Sequence, residues 1–295
     1  MGKLRERTRL IIQLAFTALT NGYVSGFLGQ KLYKGNLKKF CVPGLNCNSC
    51  PGALGSCPIG ALQAVAGDRN YSFSFYAMGF LVMVGALIGR VVCGFLCPFG
   101  LVQDLMYKIP VPKILRRMPG DRYLRYLKYV VLISLVLVLP DRATNIVGQG
   151  DPWFCKWLCP SGTLFGGIPQ VLSTPALQAA LGFLFSWKMG ILLLILALSM
   201  VNYRPFCKYL CPLGAIYGRC NPISLYHLEV DKEKCNGCGA CSRACGMGVD
   251  VPKAPNSPEC IRCGKCATIC PQDALQFRFV SRKGRRQTRT GEIKN

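Results

Sequence analysis

Apolar and polar positions divide the chain into long uncharged runs separated by charged or cysteine-bearing loops. The first run, Leu10 to Gln30, extends 21 residues without a charge behind the basic start MGKLRERTR, and about 20 apolar residues cross a bilayer. It is too long for a signal peptide and lacks a small-residue cleavage site, so it predicts a retained first helix. Its polar members Gln13, Thr17, Thr20 and Asn21 predict a face turned to other helices rather than to lipid. A second span is predicted at Tyr71 to Gly89, ended by Arg90. A third, Tyr123 to Leu139, is free of charge and proline only from Tyr129, so Arg125 and Lys128 would have to snorkel to the interface. A fourth, Trp187 to Tyr203, carries aromatic anchors at its ends. Pro160 to Trp187 is uncharged too, but Pro160, Pro169 and Pro175 break it, which predicts a re-entrant or interfacial segment with a short helix starting at Thr174-Pro175.

Four spans put both termini on one side. Lys108, Lys113, Arg116, Arg117, Arg122, Arg125 and Lys128 lie between the second and third, and with the basic N-terminus they place that side in the cytoplasm. The first loop, with Lys31, Lys34, Lys38, Lys39 and Arg69, fits this orientation less well. Half-hydrophobic composition beside a formal charge of +23 is the signature of a membrane protein with basic flanks. The tail from Ser281 is basic and poor in apolar residues, hence expected to be disordered, with anionic lipid rather than nucleic acid as its contact. His227 is the sole histidine, so the chain cannot supply the paired ligands of a membrane haem b.

The chain has 19 cysteines, and eight of them form two successive CxxCxxCxxxC runs, Cys235/Cys238/Cys241/Cys245 and Cys260/Cys263/Cys266/Cys270. This is the spacing for two [4Fe-4S] clusters, in which the fourth cysteine of each run serves the other cluster. The expected ligand sets are therefore Cys235, Cys238, Cys241 and Cys270, and Cys260, Cys263, Cys266 and Cys245. Zinc is the lesser reading, since a tetrahedral site has no use for the CxxxC closure.

Between the spans a unit recurs as RVVCGFLCPFG at 90–100, PWFCKWLCPSG at 152–162 and RPFCKYLCPLG at 204–214, each containing CxxxCPxG. A related CPIG closes the group Cys41, Cys47, Cys50 and Cys57. On a helical turn the two cysteines of CxxxC would share a face, so each unit offers two thiolates and two units complete a cluster. The Pro and Gly that follow would let the chain turn close to a cubane. With the orientation above, Cys93, Cys97, Cys207 and Cys211 fall together at the cytoplasmic face as one expected cluster. Cys41, Cys47, Cys50, Cys57, Cys155 and Cys159 fall on the outer side. The expectation there is a cluster of the first four, with Cys155/Cys159 either completing a different site or replacing two of them; Cys220 is left over as a plain buried thiol.

CxxxCP pairs on membrane helices, followed by a two-cluster ferredoxin module, resemble the membrane-bound polyferredoxin family, to which NapH-type quinol dehydrogenase subunits belong. The likeness runs from about Arg7 to Phe279, with the extra Cys41 to Cys57 group and the third pair, Cys155/Cys159, departing from the family's two-pair pattern. The fold expected is a membrane α-helical bundle of about four transmembrane helices (1–222) plus a small α+β two-cluster ferredoxin-like domain (223–280), with strands Ser224 to Val230 and Leu275 to Val280 paired and a short helix after each cluster loop. The expected function is electron relay through [4Fe-4S] clusters, two in the ferredoxin domain and two in the membrane domain, with no catalytic residues and no nucleotide-binding loop. Expected partners are the lipid bilayer, other redox subunits or a soluble electron carrier, and quinone. An assembly factor supplying electrons to another enzyme's metal centre, or a redox sensor, would use the same cysteines.

Overall fold

A computed structural model describes residues 2–29, 32–67, 75–112, 118, 120–143, 150–179 and 181–279. The start of the second expected span, several basic loop residues including Lys113, Arg116 and Arg117, and the tail from Ser281 lie outside the described residues. The chain is mostly helical. Asp121–Arg142 and Phe183–Val201 are long and apolar enough to cross a membrane, and Tyr76–Ile88 is a shorter apolar helix. A fourth helix, Gly2–Thr20, covers the first expected span only from Leu10 to Thr20, and a separate short helix, Val24–Gly29, follows.

The helices share one arrangement of ends. At one end the Thr20 carbonyl accepts from the Leu54 amide (3.0 Å), Tyr76 Oη lies 3.4 Å from the Cys41 amide, and Lys188 Nζ donates to the Cys155 carbonyl (3.3 Å). At the other, Arg9 Nη1 reaches Tyr203 Oη (3.1 Å), Arg262 Nη1 donates to the Ile88 carbonyl (3.1 Å), and Tyr209 Oη donates to Asp121 Oδ1 (2.5 Å). Their outward faces are apolar, as at Leu14, Leu19, Val82, Met83, Val130, Ile133, Leu193 and Leu194. Water would leave so much contiguous apolar surface uncompensated. The polar stripe of the first helix turns inward as its sequence requires: Gln13 is 1% exposed and its amide donates to the Gly94 carbonyl (3.0 Å) and Asp104 (3.2 Å).

One expectation is corrected here. Lys128 does not snorkel; it is fully buried and paired with Glu259, while Arg125 pairs with Asp121 and donates to the Met247 carbonyl (3.1 Å). Both side chains find a protein partner on the ferredoxin segment, a cheaper refuge than water reached along lipid. In the segment 160–173 the chain is helical and breaks at Thr174, followed by a short helix Pro175–Ala179.

The ferredoxin segment opens and closes on a two-stranded antiparallel sheet, β1 (Tyr226–Val230) with β2 (Leu275–Phe279), in the register Tyr226↔Phe279 to Val230↔Leu275. His227 lies in β1 opposite Arg278, 3.5 Å from Glu229. The short helices Ala240–Ala244 and Lys265–Ile269 lie inside the cysteine runs and carry Cys241 and Cys266, rather than following the loops. The segment docks tightly on the helical domain: a Cβ on Gly94 would stand 2.5 Å from the Ile261 carbonyl oxygen.

Candidate metal centres

In the ferredoxin segment Cys235, Cys238, Cys241 and Cys270 line one concavity. The second set also gathers, since Cys266 has Cys263, Cys260 and Cys245 as electrostatic neighbours. Gly239 (φ 69°) and Gly264 (φ 79°) start the two short helices in the left-handed region, which a glycine enters without a Cβ clash. Cys260 and Cys245 also accept from backbone amides, that of Arg262 and those of Val249, Met247 and Gly248.

In the helical domain, Cys211 has Cys207, Cys93 and Cys97 around it, and the four are 4–7% exposed. Cys93 and Cys97 do not share a helix face, contrary to the sequence expectation. Cys93 lies in the helix Val91–Phe95, the backbone then extends, and Cys97 is the N-cap of the helix Pro98–Lys108. Cys207 and Cys211 repeat this with Pro205–Tyr209 and Pro212–Cys220. The proline is thus the first residue of a new helix, where its missing N–H costs nothing and its fixed φ fits. The glycine supplies the third amide: Gly214 N–H donates to Cys211 Sγ at 3.4 Å, and Gly100 N–H reaches Cys97. An N-cap thiolate thereby meets a free amide and the positive end of the helix dipole.

The other end of the bundle repeats the design. Cys159 has Cys155, Cys47 and Cys57 as neighbours. Cys57 caps the helix Pro58–Ala66, and Cys159 caps the turn Pro160–Gly162 and accepts from the Gly162 amide at 3.3 Å. Of the alternatives the sequence left open, the geometry gathers Cys155 and Cys159 with Cys47 and Cys57. Cys50 stays beside Cys47, bonded by the Gly52 and Ala53 amides, while Cys41 and Cys220 are shifted by burial alone.

Sequence reasoning missed Gln63 and Gln103. Both are fully buried. Gln103 Nε2 donates to Cys207 Sγ (3.1 Å) and its Oε1 accepts from the Phe206 amide (3.2 Å). Gln63 does the same to Cys155 Sγ (3.2 Å) and the Phe154 amide (3.0 Å). The signal was present as CPxGxxQ, at 57–63 and 97–103, facing FCKxLCPxG at 154–162 and 206–214. Each four-thiol set joins one unit of each kind.

Burial pushes Cys57 and Cys207 up to about 12 and Cys155 up to about 11, so bare thiols here stay protonated at neutral pH and ionise only against a metal's charge. Among the described residues no three Cys, His, Asp or Glu side chains converge as a single ion requires. Four wider-set thiols with amides aimed at their sulfurs fit a polynuclear iron-sulfur group.

Two sequence families match. One, described as a 4Fe-4S binding domain, matches residues 71–117, 150–174 and 180–218; the other, a 4Fe-4S dicluster domain, matches 227–271. Two uncharacterised proteins of Methanocaldococcus jannaschii are 28% and 31% identical over 70% and 69% of this chain, which spans 71% and 78% of their lengths. The ferredoxin-type protein NapH of Haemophilus influenzae is 27% identical over 67% of this chain and 65% of its own length. The methylamine utilization ferredoxin-type protein MauN of Paracoccus denitrificans is 31% identical over 56% and 50%. No solved structure matches.

Proposed function

Because the chain belongs to the NapH-type polyferredoxin family, we propose that it carries electrons through a membrane along a row of four [4Fe-4S] centres. The ligands are Cys47/Cys57/Cys155/Cys159, Cys93/Cys97/Cys207/Cys211, Cys245/Cys260/Cys263/Cys266 and Cys235/Cys238/Cys241/Cys270. Each cluster, when bound, supplies one-electron redox chemistry.

The observation that carries this reading is the contiguity of the four sets. Tyr217, fully buried, lies within electrostatic reach of both Cys57 and Cys93, and the Leu45 amide, two residues from Cys47, bonds Cys97. Gly94, next to Cys93, abuts Ile261, next to Cys260. The two ferredoxin sets interlock through the exchanged Cys245 and Cys270. With the helices Gly2–Thr20, Phe75–Ile88, Asp121–Arg142 and Phe183–Val201 as four spans, both termini and the ferredoxin domain lie in the cytoplasm. A quinol or outer-face donor would serve the Cys47/Cys57/Cys155/Cys159 end, and a partner redox protein the ferredoxin end. The relatives named as ferredoxin-type proteins support a place in a larger redox system.

Iron and acid-labile sulfide on anaerobically purified protein test it. About sixteen irons per chain are expected, falling by about four in Cys97→Ser and again by about four in Cys57→Ser. About eight in the unsubstituted protein refutes the four-centre relay.

A further inference from the structure

We propose that Arg90 and Arg204 hold the Cys93/Cys97/Cys207/Cys211 centre at a higher reduction potential than the Cys47/Cys57/Cys155/Cys159 centre, and so direct electrons from the second to the first. This rests on the four-centre reading above and gives that relay a direction.

Each arginine stands three residues before the first cysteine of one unit and crosses to the other half of the site. Arg204 donates to the Cys93 carbonyl and packs over Gly100, where a Cβ would stand 3.2 Å from its Nη1. Arg90 donates to the Cys207 carbonyl (3.0 Å) and packs over Gly214, where a Cβ would stand 3.0 Å from its Nη2; its side chain also lies within electrostatic reach of Cys93. Glycine at both positions of CPxG is what admits the guanidinium. Both arginines are 0% exposed.

Neither charge is cancelled by its partners. Arg204 shares Asp104 with Arg9, and Arg90 shares Glu259 with Lys128. Two buried groups, each of two cations and one carboxylate, therefore flank this centre with a surplus of positive charge. In a water-poor interior such charge is weakly screened and is costly to leave without an anion. Four thiolates around an iron-sulfur cube are that anion, and its reduced state, one charge more negative, gains the more.

Among the described residues, the other centre lacks the device. The matching positions, three residues before Cys47 and Cys155, are Gly44 and Pro152. Among the described residues its cations are half-buried lysines: Lys188 on the Cys155 carbonyl, and Lys38 within electrostatic reach of Cys47 and Cys50. With clusters bound, one electron would therefore leave the Cys47/Cys57/Cys155/Cys159 centre, oxidising it, and reduce the arginine-clasped one. The donor on the outer side refills the first.

EPR-monitored redox titration of the purified holoprotein tests this, the two signals being assigned by their loss in Cys97→Ala and Cys57→Ala. The arginine-clasped centre is expected at the higher midpoint. Arg90→Gln should move that midpoint down and Asp104→Asn should move it up, with the other centre holding still; Arg90→Lys, which keeps the charge, should restore most of the shift. A purely structural role would move both substitutions the same way or lose the cluster. If Arg90→Gln does not assemble, the order of the two midpoints in the unsubstituted protein decides. About eight irons per chain would sink the four-centre reading. Sixteen irons with the midpoints reversed, or unmoved in both variants, would overturn the direction alone.

Discussion

Gln103→Leu is nearly isosteric and removes both hydrogen bonds that the amide makes. Loss of a bond to a charged thiolate costs about 1.5–3 kcal/mol, and the orphaned Phe206 amide, buried behind it, a further 1–3 or so. About 4 kcal/mol is therefore expected, which for a chain of this length lowers the unfolding midpoint by about 8 °C. Gln63→Leu removes the matching pair of bonds, to Cys155 and Phe154, and should cost the same within about 1 kcal/mol. The assay is thermal bleaching of the cluster absorbance in detergent at one fixed scan rate, because unfolding with cluster loss is irreversible and only equal rates compare. Each variant should bleach its own centre first. A loss under about 2 °C for either variant, or a threefold disparity between them, would show that the glutamines do not brace the thiols as described.

Gly94→Ala drives a methyl to 2.5 Å from the Ile261 oxygen; overpacking of this kind costs about 1–3 kcal/mol, and limited proteolysis should find the ferredoxin segment cut faster. Cys41→Ala, Cys50→Ala and Cys220→Ala should keep the full iron content, whereas Cys47→Ala should lose about four irons per chain, measured together by colorimetric iron assay. Acid should strip the protein in a definite direction. Burial works to raise Asp104 and Glu259, but Arg204 with Arg9, and Arg90 with Lys128, hold both below the ordinary carboxylate range. Depressed folded values mean that the stability is complete above about pH 4 and is lost as pH falls through the lower folded values. Urea midpoints measured from pH 6 downward should drop there, and less steeply in Glu259→Gln.

Local chemistry made much of this legible before any coordinates. The ferredoxin cysteines carry a spacing that only one ligand topology uses, and the inward face of the first helix is written in Gln13, Thr17, Thr20 and Asn21. The choice among Cys41, Cys47, Cys50 and Cys57 was not legible, because four thiols in one loop are chemically equal and only the approach of Cys155 and Cys159 separates them. The CxxxCP pair misled for a different reason. Spacing of four suggests one helix face, but proline after the second cysteine starts a fresh helix, so the pair is split across a break. The buried ions Arg90, Lys128, Arg204 and Glu259 read as surface or interface residues in any hydropathy pattern. Their burial depends on partners 100 or more positions away.

The two helical-domain sites are threaded alternately. The chain passes Cys57, then Cys97, then Cys159, then Cys211, so each site gets one half from the first part of the chain and the other from the second. A ribosome making about 5–20 residues per second delivers Cys159 roughly 5–20 seconds after Cys57, and Cys211 as long after Cys97. During that time the nascent chain presents two half-built thiol nests and can hold a cluster in neither. On the proposed ligand sets, metallation of this domain would therefore be a late event in biogenesis, and a chain stopped between Gly120 and Phe154 would leave the cell with thiols that no cluster protects from oxygen.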